Sequence, residues 1–531
     1  QLLPYLDENI KQGNALVDYN HLKKIKIEES EKYEIAPFNW SFRNGVETFN
    51  VILGNPPYVT TEDMVNLLPK TEYEIYKKKY KTSYKQFDKY FIFIERALDK
   101  LDPNGTLCYI VPNKFSKIKS GQKLRKLLTD NYYLKEFIDF NSVQLFKKKG
   151  ITTYSSILLA IKNKNNTFDF EEVTNLNEWW ASIDSEKSKN KVTLDSRILS
   201  ESSWVLVSDQ KKAKLINKLY ENAIPLSKNA EIFNGIQTSA ESPFPVYWFS
   251  KDQIINEDDK YIEVIKNDNR YLIEKGILRP YFKPTKHSER NMGTYDAFET
   301  NKWIIFPYDN EGKIIPKDKM QKDYPKTYYY LKQHYNRLVP KQITGNNKGR
   351  DVPHATEDTW YHYGRIQALT RFINTPKLIV GILTKKPLYL YDNTDMLIAS
   401  GGTAGYCAIA EKENSLYKIE FIQAVLTHPA IEWLTSIIGS DFDNGYHSRG
   451  TAVLENIPII NIDFGNENQA KLYYNIIEMT KRIYAINEEL KRKLDKRKYN
   501  VLSGEKNELI KNIEECVSKL YGIEELLQVI T

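Results

Sequence analysis

Cysteine is scarce: Cys108, Cys407 and Cys516 are the three in 531 residues, and they stand far apart. That excludes a disulfide framework and a clustered thiolate metal site, and makes a reducing cytoplasm the expected compartment. Histidine is nearly as rare. The seven (His21, His287, His334, His354, His362, His428, His447) show no metal-ligand spacing, so no metal is expected. No apolar run approaches the roughly 20 residues that span a bilayer; the longest, 90–94 and 378–383, are short, so no membrane partner is expected. The opening Gln1-Leu2-Leu3-Pro4 lacks the basic-then-apolar layout of a signal peptide. Glycine is thin at 23 residues, and no internal repeat is visible, which removes solenoids and propellers.

What is present looks like an ordinary globular composition, with 41% hydrophobic and 27% charged residues. The length suggests about three domains at roughly 150 residues each. Lys and Arg number 76 against 69 Asp and Glu, a net charge of +7 that is compatible with nucleic-acid binding. There are 37 tyrosines, a bias that an AT-rich genome would also produce.

Residues 1–165 alternate strand and helix patterns. Phe49–Gly54 (F-N-V-I-L-G) reads as a buried parallel strand ending in a turn. A helix follows over 90–101, with Phe91, Ile94, Leu98 and Leu101 on one face, then a strand over 105–112. A helix over 120–131 and strands over 134–140 and 155–161 complete the region. This alternation predicts a doubly wound α/β layer. Residues 166–225 read as a connector, 226–464 as an irregular β-rich domain with aromatic strands, and 465–531 as amphipathic helix.

The most specific motif is Asn55-Pro56-Pro57-Tyr58, directly after the first strand. In open α/β sheets, ligands bind outside the carboxyl ends of strands. Neither proline offers an amide hydrogen, so the turn presents the Asn55 side-chain oxygen, the Pro56 carbonyl and the Tyr58 ring. That set suits methylation of an exocyclic base amine. The adenine amine is a poor nucleophile because its lone pair is delocalised into the ring. Two acceptors for its two N–H groups localise the lone pair for attack on a sulfonium methyl. A base buried in a duplex must be flipped out, and Tyr58 supplies a stacking surface worth roughly 1–3 kcal/mol.

At these residues the sequence resembles the adenine-N6 DNA methyltransferases that use S-adenosylmethionine, in the γ motif order. It is similar in particular to the methylase-plus-recognition part of type IIG restriction–modification enzymes. Matching segments are 49–59, 87–101, 105–115 and 124–140. The resemblance implies that Leu145-Phe146-Lys147-Lys148-Lys149-Gly150 is the loop giving a second aromatic, Phe146, beside the flipped base. It also implies that Asn14, in I-K-Q-G-N-A-L, contacts the cofactor adenine. The family's glycine-rich cofactor loop and its Asp precede that segment, so both are expected upstream of residue 1, in a missing methyltransferase segment or subunit that a nuclease can precede in turn. Ser400-Gly401-Gly402-Thr403-Ala404-Gly405, the candidate for a permuted loop, has no Asp immediately before it and lacks the β-α-β spacing.

Ten basic side chains lie between Lys114 and Lys149 against Asp130, Glu136 and Asp139. Phosphate contact there is expected to include Lys147, Lys148 and Lys149. Leu278-Arg279-Pro280-Tyr281, Gly364-Arg365-Ile366-Gln367-Ala368 and Ile232-Phe233-Asn234-Gly235-Ile236-Gln237-Thr238 carry Arg and Gln able to read base edges. Asp296 with Glu311 and Lys313 is a poor nuclease set, because Glu311 falls in a turn.

The expected fold is α/β: a partial Rossmann-like methyltransferase sheet, a β-rich mixed α+β target-recognition domain and C-terminal helices. The expected activity is site-specific DNA adenine-N6 methylation on double-stranded DNA with S-adenosylmethionine. A competing class is a non-catalytic DNA-binding specificity module.

Overall fold

The computed structural model describes residues 10–530 apart from 24, 26, 41–47, 142, 146–153, 185–190, 202–203, 205, 242–244, 285–291, 297, 299, 345–348, 367, 401–404, 440, 443–445 and 493. Phe146, Lys147, Lys148, Lys149 and the glycines at 401 and 402 lie outside the described residues. The chain divides into one unit of residues 1–221 with 525–531, and a second of residues 222–524.

The first unit is built on one mixed sheet of β1 (Phe49–Gly54), β2 (Leu101–Pro112), β3 (Leu134–Asp139), β4 (Ser155–Ile161), β5 (Thr167–Glu172) and β6 (Lys191–Asp195). Its spatial order is β1-β2-β4-β3-β5-β6. β1 runs parallel to β2, with Gly54 opposite Tyr109, whereas β4 runs antiparallel to both β2 and β3. The stretch 166–225, read as a connector, thus contributes β5 and β6 to this same sheet.

The helix Lys89–Lys100 forms where the apolar spacing demands it, and it buries Phe91, Ile94 and Leu98. Each such side chain contributes roughly 2 kcal/mol of burial free energy. Its Glu95 carboxylate accepts the backbone N–H groups of Lys81 and Thr82 at 3.0 and 2.8 Å, fixing the preceding loop.

One expectation is corrected. β1 is parallel but not buried: among the described residues it pairs only with β2, so it is an edge strand. Val51 and Leu53 are 57% and 71% exposed. An apolar run alone cannot tell a central strand from an edge strand, because burial depends on neighbours supplied by other segments.

The second unit is β-rich with helices, as its aromatic strands predicted. One antiparallel sheet has the order Tyr389–Asp392, Lys377–Gly381, Tyr406–Glu411, Ala230–Asn234. A second sheet, mixed because Leu397–Ile398 runs parallel to its neighbour, has the order Leu397–Ile398, Leu278–Phe282, Lys302–Ile305, Trp248–Ser250. The tyrosine excess finds a physical use in this core. The buried hydroxyls of Tyr247, Tyr330 and Tyr361 donate to the carbonyls of Tyr361, Val246 and Ile315 at 2.8, 2.6 and 2.7 Å. Irregular buried backbone leaves carbonyls without a ladder partner, and tyrosine supplies a donor on an apolar body. Arg350 does the same, giving its guanidinium hydrogens to the carbonyls of Leu338, Thr238, His362 and Trp360.

The helices Glu467–Leu490 and Lys496–Tyr521 pack within this unit. Tyr484 stacks on Tyr391 at 4.0 Å, and the Tyr521 hydroxyl donates to the Pro458 carbonyl at 2.8 Å. Of the two roles open to these helices, capping the β-rich part or packing on a partner, the contacts show the first.

Candidate functional site

The Asn55-Pro56-Pro57-Tyr58 turn leaves the sheet at the carboxyl end of β1. Gly54 just before it packs tightly, since a Cβ there would meet the Tyr109 ring at 3.2 Å. Asn55 is exposed and Pro56 is buried. Among the described residues, neither the Asn55 carboxamide nor the Pro56 carbonyl has a hydrogen-bond partner. Two acceptors on consecutive residues are therefore left unused by the fold.

Tyr58 is held in place. Its hydroxyl donates to the Ile110 carbonyl of β2 at 3.0 Å, and its ring meets Tyr90 edge-on at 6.2 Å. Tyr90 is fully buried and its own hydroxyl donates to the Pro112 carbonyl at 3.1 Å. Burial pushes the Tyr58 phenol up to about 12, so it stays neutral at ordinary pH. A half-buried ring anchored at its hydroxyl is a firm platform.

Asn14 is set by a second cluster. Gly13 before it has φ +147°, and a Cβ there would meet Phe38 at 2.9 Å. The Asn14 amide nitrogen donates to Glu72 Oε1 at 2.9 Å and to the Tyr76 hydroxyl at 3.2 Å. Its oxygen accepts the Leu16 N–H at 3.1 Å, which fixes which end of the amide faces which partner. The Tyr76 hydroxyl also donates to Glu72. Lys89 Nζ lies 3.6 Å from the Glu72 carboxylate, while the Lys89 backbone N–H donates to the Val59 carbonyl at 2.8 Å. Asn14 and the Asn-Pro-Pro-Tyr turn are thus joined through Glu72 and Lys89. Glu72, Tyr76 and Lys89 carry no motif that singles them out in the sequence. The i,i+4 placement of Glu72 and Tyr76 on one helix face was the available signal.

The basic run is less uniform than its composition. Arg125 is buried and donates to the carbonyls of Phe115, Ile118 and Glu201, so it holds backbone together. Lys126 pairs with Asp130 at 2.9 Å. In the second unit, Arg279 donates to the Gly276 and Leu278 carbonyls and Tyr281 is buried, which gives both structural employment. The other two base-reading candidates come together. Gln237 and Arg365, distant in sequence, form an antiparallel bridge, and both are exposed.

The nuclease set is not assembled. Lys313 pairs with Glu311 at 2.6 Å in an exposed turn, while Asp296 lies 3.8 Å from Lys506. His362 stacks edge-on with His354 at 4.7 Å, and burial lowers it to about 4. Among the described residues no group of His, Cys, Asp and Glu could hold a metal ion, and no helix is long and apolar enough to cross a membrane.

An α/β sheet with Asn-Pro-Pro-Tyr at a strand's carboxyl end defines the class. Residues 2–146 match the model of the family described as Eco57I restriction-modification methylase, so the methylase resemblance holds. The chain is 37% identical over 487 residues to the type II restriction enzyme and methyltransferase RM.Eco57I of Escherichia coli. That alignment covers 90% of this chain and 46% of the relative. It is 26% identical over 348 residues to the type II methyltransferase M.BstVI of Geobacillus stearothermophilus, covering 62% of this chain and 54% of that protein. The chain therefore spans about half the length of these curated relatives. Among solved structures, the Type IIL restriction-modification enzyme MmeI in complex with DNA overlaps 92% of this chain and 56% of its own, at 12% identity and a TM-score of 0.40.

Proposed function

We propose that this chain is the catalytic-turn and target-recognition part of a DNA adenine-N6 methyltransferase of a restriction–modification system. The observation that carries the reading is the pair of unused acceptors, Asn55 Oδ1 and the Pro56 carbonyl, at the carboxyl end of β1. Together they match the two N–H groups of an adenine amine. Accepting both draws the nitrogen towards tetrahedral geometry, localises its lone pair and fixes its direction of attack. As the N–CH3 bond forms, the methyl would leave its sulfonium donor with the S–CH3 electron pair staying on sulfur as a thioether, and one N6 proton leaves to solvent. Tyr58 stacks on the extruded base, and Phe146 supplies a second aromatic wall. No covalent enzyme intermediate is needed, which agrees with a turn that offers no nucleophile.

The cofactor of this class, S-adenosylmethionine, supplies an electrophilic methyl group when bound. The residues present suit one edge of it. Asn14 Oδ1 accepts the Leu16 N–H at 3.1 Å and has the Tyr76 hydroxyl only at 3.5 Å, which leaves it able to accept from an adenine amino group. Glu72 and Tyr76 hold that amide in register. The remaining contacts, in this reading, come from an upstream methyltransferase segment. The edge of β1, unpaired among the described residues and with Val51 and Leu53 exposed, supports such a partner. Residues 226–464 read the duplex, with Gln237 and Arg365 on one exposed strip, and Lys147, Lys148 and Lys149 contact phosphates.

The test is methyl transfer from labelled S-adenosylmethionine to mixed-sequence adenine-containing duplex. The chain is supplied alone and together with the upstream segment. Label in N6-methyladenine is expected with the completed protein. Absence of transfer in both arrangements would leave only a DNA-binding module.

A further inference from the structure

We propose that the cleft beyond the Asn-Pro-Pro-Tyr turn is a binding site for the sugar–phosphate backbone of a DNA strand; this rests on the methyltransferase reading and extends it to a second contact. The cleft has a volume of about 840 Å³ and is lined from three segments, 60–66, 85–88 and 114–120. The first begins two residues after Tyr58 and the third follows the end of β2. It therefore opens at the carboxyl ends of two parallel strands, where open α/β sheets bind ligands.

Its chemistry is divided as a nucleic-acid backbone is divided. Lys85, Lys114 and Lys119 bring three ammonium groups, while Val65, 54% exposed, and the half-buried Ile118 give apolar wall. Phosphates suit the first and deoxyribose faces the second. Lys114 is held at 2.7 Å by Asp88, a carboxylate buried in the cleft, so that pair is internally balanced. Among the described residues neither Lys85 nor Lys119 pairs with a carboxylate, and both are exposed. Lys85 Nζ rests 5.2 Å from the centre of the Tyr84 ring, which restricts its stem before any ligand arrives. Glu62 on the lining is solvent-exposed and screened. The same lysines argue against a sulfonium cofactor as occupant, because like charges repel in a cleft with apolar walls.

The experiment uses the whole chain and fluorescence anisotropy with two probes, a labelled duplex and an abasic oligodeoxynucleotide of the same length, over a series of salt concentrations. For duplex, the slope of log K against log salt changes by about 0.9 for each phosphate contact. K85Q with K119Q is expected to reduce the slope by about 2 and to weaken both probes by on the order of tenfold near 0.1 M salt. A control pair, K164Q with K214Q, removes equal charge from exposed positions of the same unit that do not line the cleft and is expected to leave the slope unchanged. Thermal midpoints of all variants are expected to match, since these side chains are exposed.

A K85Q/K119Q slope equal to that of the unaltered chain, or an equal loss in the control pair, would overturn the cleft assignment while leaving the methyltransferase reading intact. Loss on the duplex with none on the abasic probe would also overturn it, because the base and not the backbone would then be the ligand. If the unaltered chain binds neither probe at low salt, the DNA reading itself fails, and the cleft with it.

Discussion

Replacing Asn55 by alanine separates the proposed chemistry from folding. The Asn55 side chain is exposed and has no hydrogen-bond partner among the described residues, so its loss leaves no orphaned donor and no cavity. A stability change within about 0.5 kcal/mol is expected, the range for surface positions free of such features. Catalysis is another matter. In the proposed reaction the amine nitrogen gains positive character as it is methylated, and the Asn55 oxygen is one of two acceptors aimed at its hydrogens. Removing one preorganised partner of a developing charge typically costs about 2.7–4 kcal/mol, or about 100- to 1,000-fold in kcat. N55D keeps an acceptor oxygen in the same place and is expected to recover most of that loss. The assay is single-turnover transfer of labelled methyl to duplex by the completed protein, with urea unfolding and duplex affinity measured alongside. Turnover of N55A within threefold of the unaltered protein would remove Asn55 from the mechanism. A parallel collapse in stability would show instead that the side chain supports the fold.

Two further outcomes follow from the same geometry. Y58F removes the hydroxyl bond to the Ile110 carbonyl but keeps the ring; it should cost about 1 kcal/mol in urea unfolding and leave methyl transfer within a few-fold. Y58A, which removes the stacking surface, should lose at least tenfold more activity, and equal losses would shift the role from ring to hydroxyl. His428 predicts a pH dependence. Burial lowers its imidazole to about 4, its Nδ1 accepts the Ala430 N–H at a helix start, and its Nε2 lies 2.9 Å from Ser518 Oγ. The unfolded imidazole titrates near 6.5, so between pH 6.5 and 4 the unfolded chain binds the extra proton. The stability His428 confers is complete above 6.5 and is lost as pH falls through that window, by up to roughly 3 kcal/mol. The urea midpoint of the second unit should fall over this range, and H428Q should flatten the fall; matching profiles would refute the assignment.

Much of the first unit was legible because short-range rules govern it. The helix at 90–101 is observed at Lys89–Lys100, and the strand at Ser155–Ile161 has the bounds expected from the sequence. The burial of β1 is not legible in the sequence, because FNVILG would look the same in the middle of a sheet as at its edge. The site divides along the same line. Asn55, Pro56 and Tyr58 are consecutive or nearly so, and a stiff turn after a strand fixes them locally. Glu72, Tyr76 and Lys89 reach Asn14 only through the folded chain, and nothing in their own spacing names Asn14 as partner. The basic run also hid a distinction that composition cannot draw: Arg125 has its donors on internal carbonyls, whereas Lys119 extends from the surface.

What the sequence determined by itself is the set of groups the proposed reaction uses. Two prolines without amide hydrogens leave an asparagine oxygen and a carbonyl as acceptors whatever surrounds them, and a tyrosine two residues on supplies the ring. Tertiary structure decided which of these groups remain available. Tyr58 has its hydroxyl taken by β2, Asn14 has both ends of its amide assigned, and Asn55 is left free among the described residues. It also decided that Gln237 and Arg365 share a strip and that three separate segments enclose one cleft. The physical reason is the range of the forces involved. Backbone stiffness and missing donors act over a few residues, whereas burial, pairing and electrostatic competition depend on neighbours that only folding brings within reach.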